Sequence, residues 1–95
     1  MKIVQSWDTA SKADQHHDYS ACTTWGVQGD NLYLLDVDRA RIDFPSLKRR
    51  VIELARHWQP RSLLIEDKGS GTALIQQLRA EANGIAETLP LPLLG

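Results

Sequence analysis

Two carboxylates far apart in the chain each close a short strand-like run. Asp8 ends Ile3-Val4-Gln5-Ser6-Trp7-Asp8, and Glu66 ends Leu63-Leu64-Ile65-Glu66. Small polar residues follow both, Thr9-Ala10-Ser11 after the first and Lys68-Gly69-Ser70-Gly71 after the second. If the two strands are neighbours in one sheet, both carboxylates fall at one sheet edge, spaced to share a divalent cation. Hard cations such as Mg²⁺ take oxygen ligands, commonly one or two carboxylates completed by water and substrate phosphate. Such a donor set suits metal-assisted hydrolysis of a phosphodiester. Asp67 follows directly, but strand alternation points it to the face opposite Glu66, so it stands as a substitute ligand behind Glu66. Asp14, His16, His17 and Asp18 form a second metal-like cluster in a polar stretch. Adjacent loop histidines lack a third fixed ligand to converge on one ion, and this cluster reads as a surface loop near the site.

The elements that must position Asp8 and Glu66 follow from periodicity. Residues 2–8 alternate, with Ile3, Gln5 and Trp7 on one side and Val4, Ser6 and Asp8 on the other, which predicts a strand. Residues 10–19 are polar and aperiodic and read as a loop. Residues 20–28 and 31–37 are β-branched, aromatic or apolar, and Gly29-Asp30 between them predicts an antiparallel hairpin. Phe44-Pro45 then opens a helix whose apolar stripe is Leu47, Val51, Leu54 and Trp58, and Pro60 ends it. Arg61 to Glu66 is a buried strand. Ser70 is placed to cap a helix from Thr72 to about Ala82, which Asn83-Gly84 stops. Ile85 to Leu89 reads as a fifth strand before Pro90 and Pro92. The order β-β-β-α-β-α-β combines an antiparallel start with parallel crossovers, the mark of a mixed α/β sheet.

Bulk properties set the limits. The 95 residues make one domain, 1–95, with room for one modest core. Net charge is −1, which gives no global argument for nucleic-acid binding, yet the charge is segregated. Residues 39–61 hold seven Arg or Lys against Asp43 and Glu53, whereas residues 1–38 hold two Lys against six Asp. An acidic edge beside a basic segment suits a metal site facing a phosphate backbone. Arg39, Arg41, Lys48, Arg49 and Arg50 are the candidate phosphate contacts, with Lys68 beside the second carboxylate; a helix solvated on its outer face explains the helical ones equally well. The single cysteine, Cys22, excludes an internal disulfide and a cysteine zinc cluster, and reads as a small core residue. Trp7, Trp25 and Trp58 read as core packing. No signal peptide or transmembrane run is visible, so the expected location is cytoplasmic, with no membrane partner.

Taken together, Ile3-Val4-Gln5-Ser6-Trp7-Asp8-Thr9-Ala10, the tract ending Asp18-Tyr19-Ser20-Ala21, and Leu64-Ile65-Glu66-Asp67-Lys68-Gly69-Ser70-Gly71 resemble the C-terminal nuclease domain of phage terminase large subunits. The similarity runs over nearly the whole chain in the right order. It implies a ribonuclease H-like fold, of which β-β-β-α-β-α-β is the first part. It also implies two-metal hydrolysis with Mg²⁺ or Mn²⁺ as cofactor and Asp8 and Glu66, with Asp67 in reserve, as ligands. The substrate would be concatemeric double-stranded DNA during genome packaging in the host cytoplasm, and the partners the terminase small subunit and the portal. Family members carry a further acid on a late helix and an ATPase domain upstream, and neither is expected in this chain. Lys68-Gly69-Ser70-Gly71-Thr72 lacks the residue order of a P-loop, so ATP hydrolysis is not expected. The apolar ending Leu89-Pro90-Leu91-Pro92-Leu93-Leu94-Gly95 reads as a fold truncated at its C-terminus, leaving a monomer or weakly self-associating chain. Two alternatives stay open: a non-catalytic remnant that binds DNA or a packaging partner, and another nuclease of the same fold such as a junction resolvase.

Overall fold

Alternation at the start of the chain becomes strand β1 (Lys2–Asp8), which buries Gln5 and Trp7 and leaves Val4 and Ser6 half-buried on its other side. The computed structural model describes residues 1–10, 19–66, 70–85 and 93–94. Strands β2 (Ser20–Gln28) and β3 (Asn31–Ala40) form the expected hairpin, with Gln28 opposite Asn31. The two-residue turn has a positive φ of 61° at Gly29 and none at Asp30, the pattern of a type II′ turn that only glycine enters without strain. A register shift between Thr24 and Trp25 bends the hairpin.

Helix α1 (Phe44–Trp58) begins where the Asp43 carboxylate accepts the Ser46 N–H at 2.9 Å, with Pro45 in the first turn. It ends at Gln59, whose left-handed φ of 50° lets its N–H donate to the Ala55 carbonyl ahead of Pro60. Strand β4 (Ser62–Ile65), helix α2 (Ser70–Ile85) and the short strand β5 (Leu93–Leu94) follow. The sheet order is β3-β2-β1-β4-β5, antiparallel on the β1–β2–β3 side and parallel for β1–β4 and β4–β5. The mixed sheet with the order β-β-β-α-β-α-β is therefore the observed architecture.

Several boundaries differ from the sequence reading: β3 runs past Val37 to Ala40, still paired with β2, and α2 already includes Ser70, read as its cap. Helix α2 runs through Asn83-Gly84 to Ile85, because one interior glycine costs a helix only about 1 kcal/mol. Ile85 is thus helical rather than the start of a strand, residues 86–90 lie outside the described residues, and the fifth strand is Leu93–Leu94.

Both helices lie on one face of the sheet. Leu47, Val51, Leu74, Ile75 and Leu78 pack with Trp7, Cys22, Leu63 and Ile65 in one buried cluster. Each fully buried leucine there contributes roughly 1.5–3 kcal/mol of transfer free energy. The α1 stripe is rotated from the predicted one, since Ala55 is buried while Leu54 and Trp58 are only half-buried. On the opposite face, Leu32, Leu34, Val37 and Leu64 keep 65%, 52%, 53% and 40% exposure. Trp25 belongs to that opposite face and not to the core: with Val4, Ser6, Val27, Leu32 and Leu64 it lines a shallow apolar depression of about 230 Å³. Among the described residues, no helix is long and apolar enough to cross a membrane.

Candidate functional site

The parallel pairing of β1 with β4 decides where the two carboxylates go. Its register sets Gln5 beside Leu63, Ser6 beside Leu64 and Trp7 beside Ile65, and the Glu66 N–H continues it by donating to the Trp7 carbonyl at 3.4 Å. One further step places Glu66 beside Asp8, on strands that lie about 4.8 Å apart. Trp7 and Ile65 are buried against the helices, so alternation turns Asp8 and Glu66 to the other face, where both are exposed. The structure therefore brings this pair together at the C-terminal ends of two central strands.

Local packing fixes both ends of the pair. Beyond Asp8, Thr9 and Ala10 are buried, and the Ala10 N–H donates to the Ser20 hydroxyl at 3.0 Å, tying the end of β1 to the start of β2. Beside Glu66, Gly71 opens α2 in direct contact with the strand end. A Cβ on Gly71 would collide with the Glu66 carbonyl oxygen and crowd Ile65 Cγ2 at 3.3 Å. In the sequence Gly71 stands out only as part of the small polar stretch Lys68-Gly69-Ser70-Gly71 after Glu66. Its role is the close approach that seats α2 on the Glu66 backbone, which no spacing in the sequence reveals.

The donor chemistry fits a hard divalent cation: two exposed carboxylates at neighbouring strand ends supply oxygen donors, and such ions complete their shell with water and phosphate oxygen. Among the described residues, no group of three or more His, Cys, Asp or Glu side chains comes together, so the pair is the acidic set that these residues supply. Asp67 and Lys68 lie outside the described residues, as do Asp14, His16, His17 and Asp18.

The candidate phosphate contacts divide by face. Arg39 stands opposite Ala21, which stands opposite Asp8, so Arg39 shares the face of the carboxylates. Arg41 lies two residues on, and both guanidinium groups lie over the Tyr19 ring, at 4.9 Å and 4.5 Å from its centroid. Lys48, Arg49 and Arg50 belong to α1, on the other side of the sheet. Lys48 Nζ donates to Gln77 Oε1 at 3.3 Å, and Arg49 donates to the Ser46 hydroxyl at 3.1 Å. Arg50 grips Asp38 through both carboxylate oxygens, one at 2.7 Å, and this holds the Asp38 carboxyl below its usual range. Cys22 is sealed in the core, where burial pushes its thiol up to about 12. Tyr19 has no obvious chemical signature in the sequence; the signal available was its two-residue spacing from Ala21 at the mouth of a strand.

A family model described as the terminase RNaseH-like domain matches residues 5–91, nearly the whole chain. No curated protein and no solved structure matches it significantly.

Proposed function

The chain belongs to the terminase RNaseH-like domain family, and from that membership and the geometry of its open sheet face we propose that it is the metal-dependent endonuclease domain of a phage or prophage terminase large subunit, cutting concatemeric double-stranded DNA. The observation that carries this reading is the β1–β4 register, which sets Asp8 and Glu66 side by side on an exposed face. Mg²⁺ or Mn²⁺ held there would supply Lewis-acid assistance to phosphodiester hydrolysis. Asp8 and Glu66 contribute the oxygen donors, and Asp67 is a further candidate ligand. Gly71 and the Ser20–Ala10 hydrogen bond hold the two strand ends in register. In the packaging assembly the partners would be the small subunit and the portal, in the host cytoplasm.

The test is cleavage of linear duplex DNA with Mn²⁺ or Mg²⁺, by wild type and Asp8→Asn. Cleavage that Asp8→Asn reduces to background supports the reading. Preference for branched over linear DNA would assign the chain to junction resolution, and saturable DNA binding by a folded chain that never cuts would make it a binding domain.

A further inference from the structure

Extended across the sheet, the registers place Glu66, Asp8, Ala21 and Arg39 in one transverse row on the uncovered face, contributed by β4, β1, β2 and β3 in turn. The next row toward the same end holds Tyr19 and Arg41, because Ser20 pairs with Ala40 and the hairpin register continues outward. We propose that Tyr19, Arg39 and Arg41 form a phosphate clamp that grips the DNA backbone a few nucleotides from the bond facing Asp8 and Glu66. The identity of its ligand rests on the DNA-cutting reading above; the clamp itself rests on three separate observations.

The first is distance. Two strand spacings separate Asp8 from Arg39, roughly 10 Å, and duplex DNA rises 3.4 Å per phosphate along each strand. One backbone therefore reaches both sites within about three nucleotides. Ala21 is the residue between them in the row, so among the described strand residues no large side chain separates its acidic and basic ends.

The second is charge. Arg50 is neutralised by Asp38, but among the described residues neither Arg39 nor Arg41 is paired with a carboxylate. Both are exposed and rest on an aromatic ring.

The third is pre-organisation. A guanidinium lying on a ring keeps its in-plane N–H donors free, and those donors match phosphate oxygens in a bidentate fork. Cation–π contact at an exposed site is modest, about 0.5–1 kcal/mol, but it restricts two long side chains before DNA arrives. Tyr19 acts through the arginines and is a positioning residue.

The experiment is fluorescence anisotropy of a linear duplex in EDTA over a series of salt concentrations. Wild type is compared with Arg39→Gln/Arg41→Gln, Tyr19→Phe, Tyr19→Leu and Asp8→Asn, with circular dichroism confirming each fold. Removing both guanidiniums is expected to reduce the slope of log K against log salt by nearly 2, since each phosphate contact contributes about 0.9. Tyr19→Phe keeps the ring and wild-type affinity, whereas Tyr19→Leu loses several-fold. A wild-type slope in the double variant, equal affinities for Tyr19→Phe and Tyr19→Leu, or no saturable binding by wild type would each overturn the clamp. In EDTA no metal-dependent cleavage takes place, so loss of cleavage by Asp8→Asn in the separate Mn²⁺ assay bears only on the carboxylates, and an unchanged slope in the double variant bears only on the clamp.

Discussion

The two faces of this five-stranded sheet are built for different tasks. On one face α1 and α2 seal Leu63, Leu74, Leu78 and Val51 completely from solvent, with Trp7 and Cys22 beneath them. On the other, apolar Leu32, Leu34 and Val37 stay exposed, and the same face carries Asp8, Glu66, Arg39 and Tyr19. Strand alternation produces the division: each residue that anchors the core turns its neighbour outward. Trp7 anchors Asp8, and Ile65 anchors Glu66. On the proposed function, stability and chemistry share the same strands but hardly share residues, so the two should be separable by mutation.

The largest effect should come from the covered face. Leu63→Ala or Leu78→Ala is expected to cost about 2–5 kcal/mol of folding free energy in urea denaturation, through lost transfer energy and a residual cavity. Leu34→Ala on the open face should stay within about 0.5 kcal/mol. Equal costs on the two faces would mean that the open face is also packed in solution.

Gly71 is where the faces meet, since it belongs to the first turn of α2 yet touches the backbone of Glu66. Gly71→Ala should displace the strand end and weaken Mn²⁺ binding by about tenfold or more, as for other positions that orient a metal ligand. Binding unchanged in that variant would remove Gly71 from the account of the site.

The Arg50–Asp38 pair should make a smaller, pH-dependent contribution. Asp38 has a depressed carboxyl pKa because Arg50 donates to it, so its stabilisation is present above the ordinary value of 3.8 and fades as pH falls through the lower folded value. Arg50 is 44% exposed, so the pair is screened. Asp38→Asn should therefore cost about 0.5–1 kcal/mol at neutral pH, and the difference from wild type should vanish in acid. A difference that grows in acid would contradict the assignment. Smallest of all, Cys22 should not react with a thiol reagent at pH 8 in the native state and should react on unfolding, because its thiol is buried and held near 12. Prompt native-state labelling would show that the covered face opens.

Much of this was legible in the sequence. The order of elements along the chain through β4, the hairpin and α1 with its Pro45 start follow from local periodicity and turn chemistry, which act over a few residues. The candidacy of Asp8 and Glu66 followed from their place at strand ends. Their adjacency did not, because it depends on β4 crossing over to pair with β1 rather than with β3. Trp25 was misplaced for the same reason: a tryptophan in a strand has two faces to choose from, and only the position of the helices decides. The role of Gly71 and the stacking of Arg39 and Arg41 on Tyr19 are tertiary contacts without a local signal. Helix α2 outruns the Asn83-Gly84 stop because continuing helical hydrogen bonding outweighs a weak local signal.

Titration with Mn²⁺ and Mg²⁺ by calorimetry, beside Asp8→Asn and Glu66→Gln, decides whether the ends of β1 and β4 hold a metal ion. The expected result is saturable binding by wild type that both substitutions abolish while the fold is retained. A folded wild-type chain that binds neither ion, or binding that survives both substitutions, would contradict a metal site at the ends of β1 and β4.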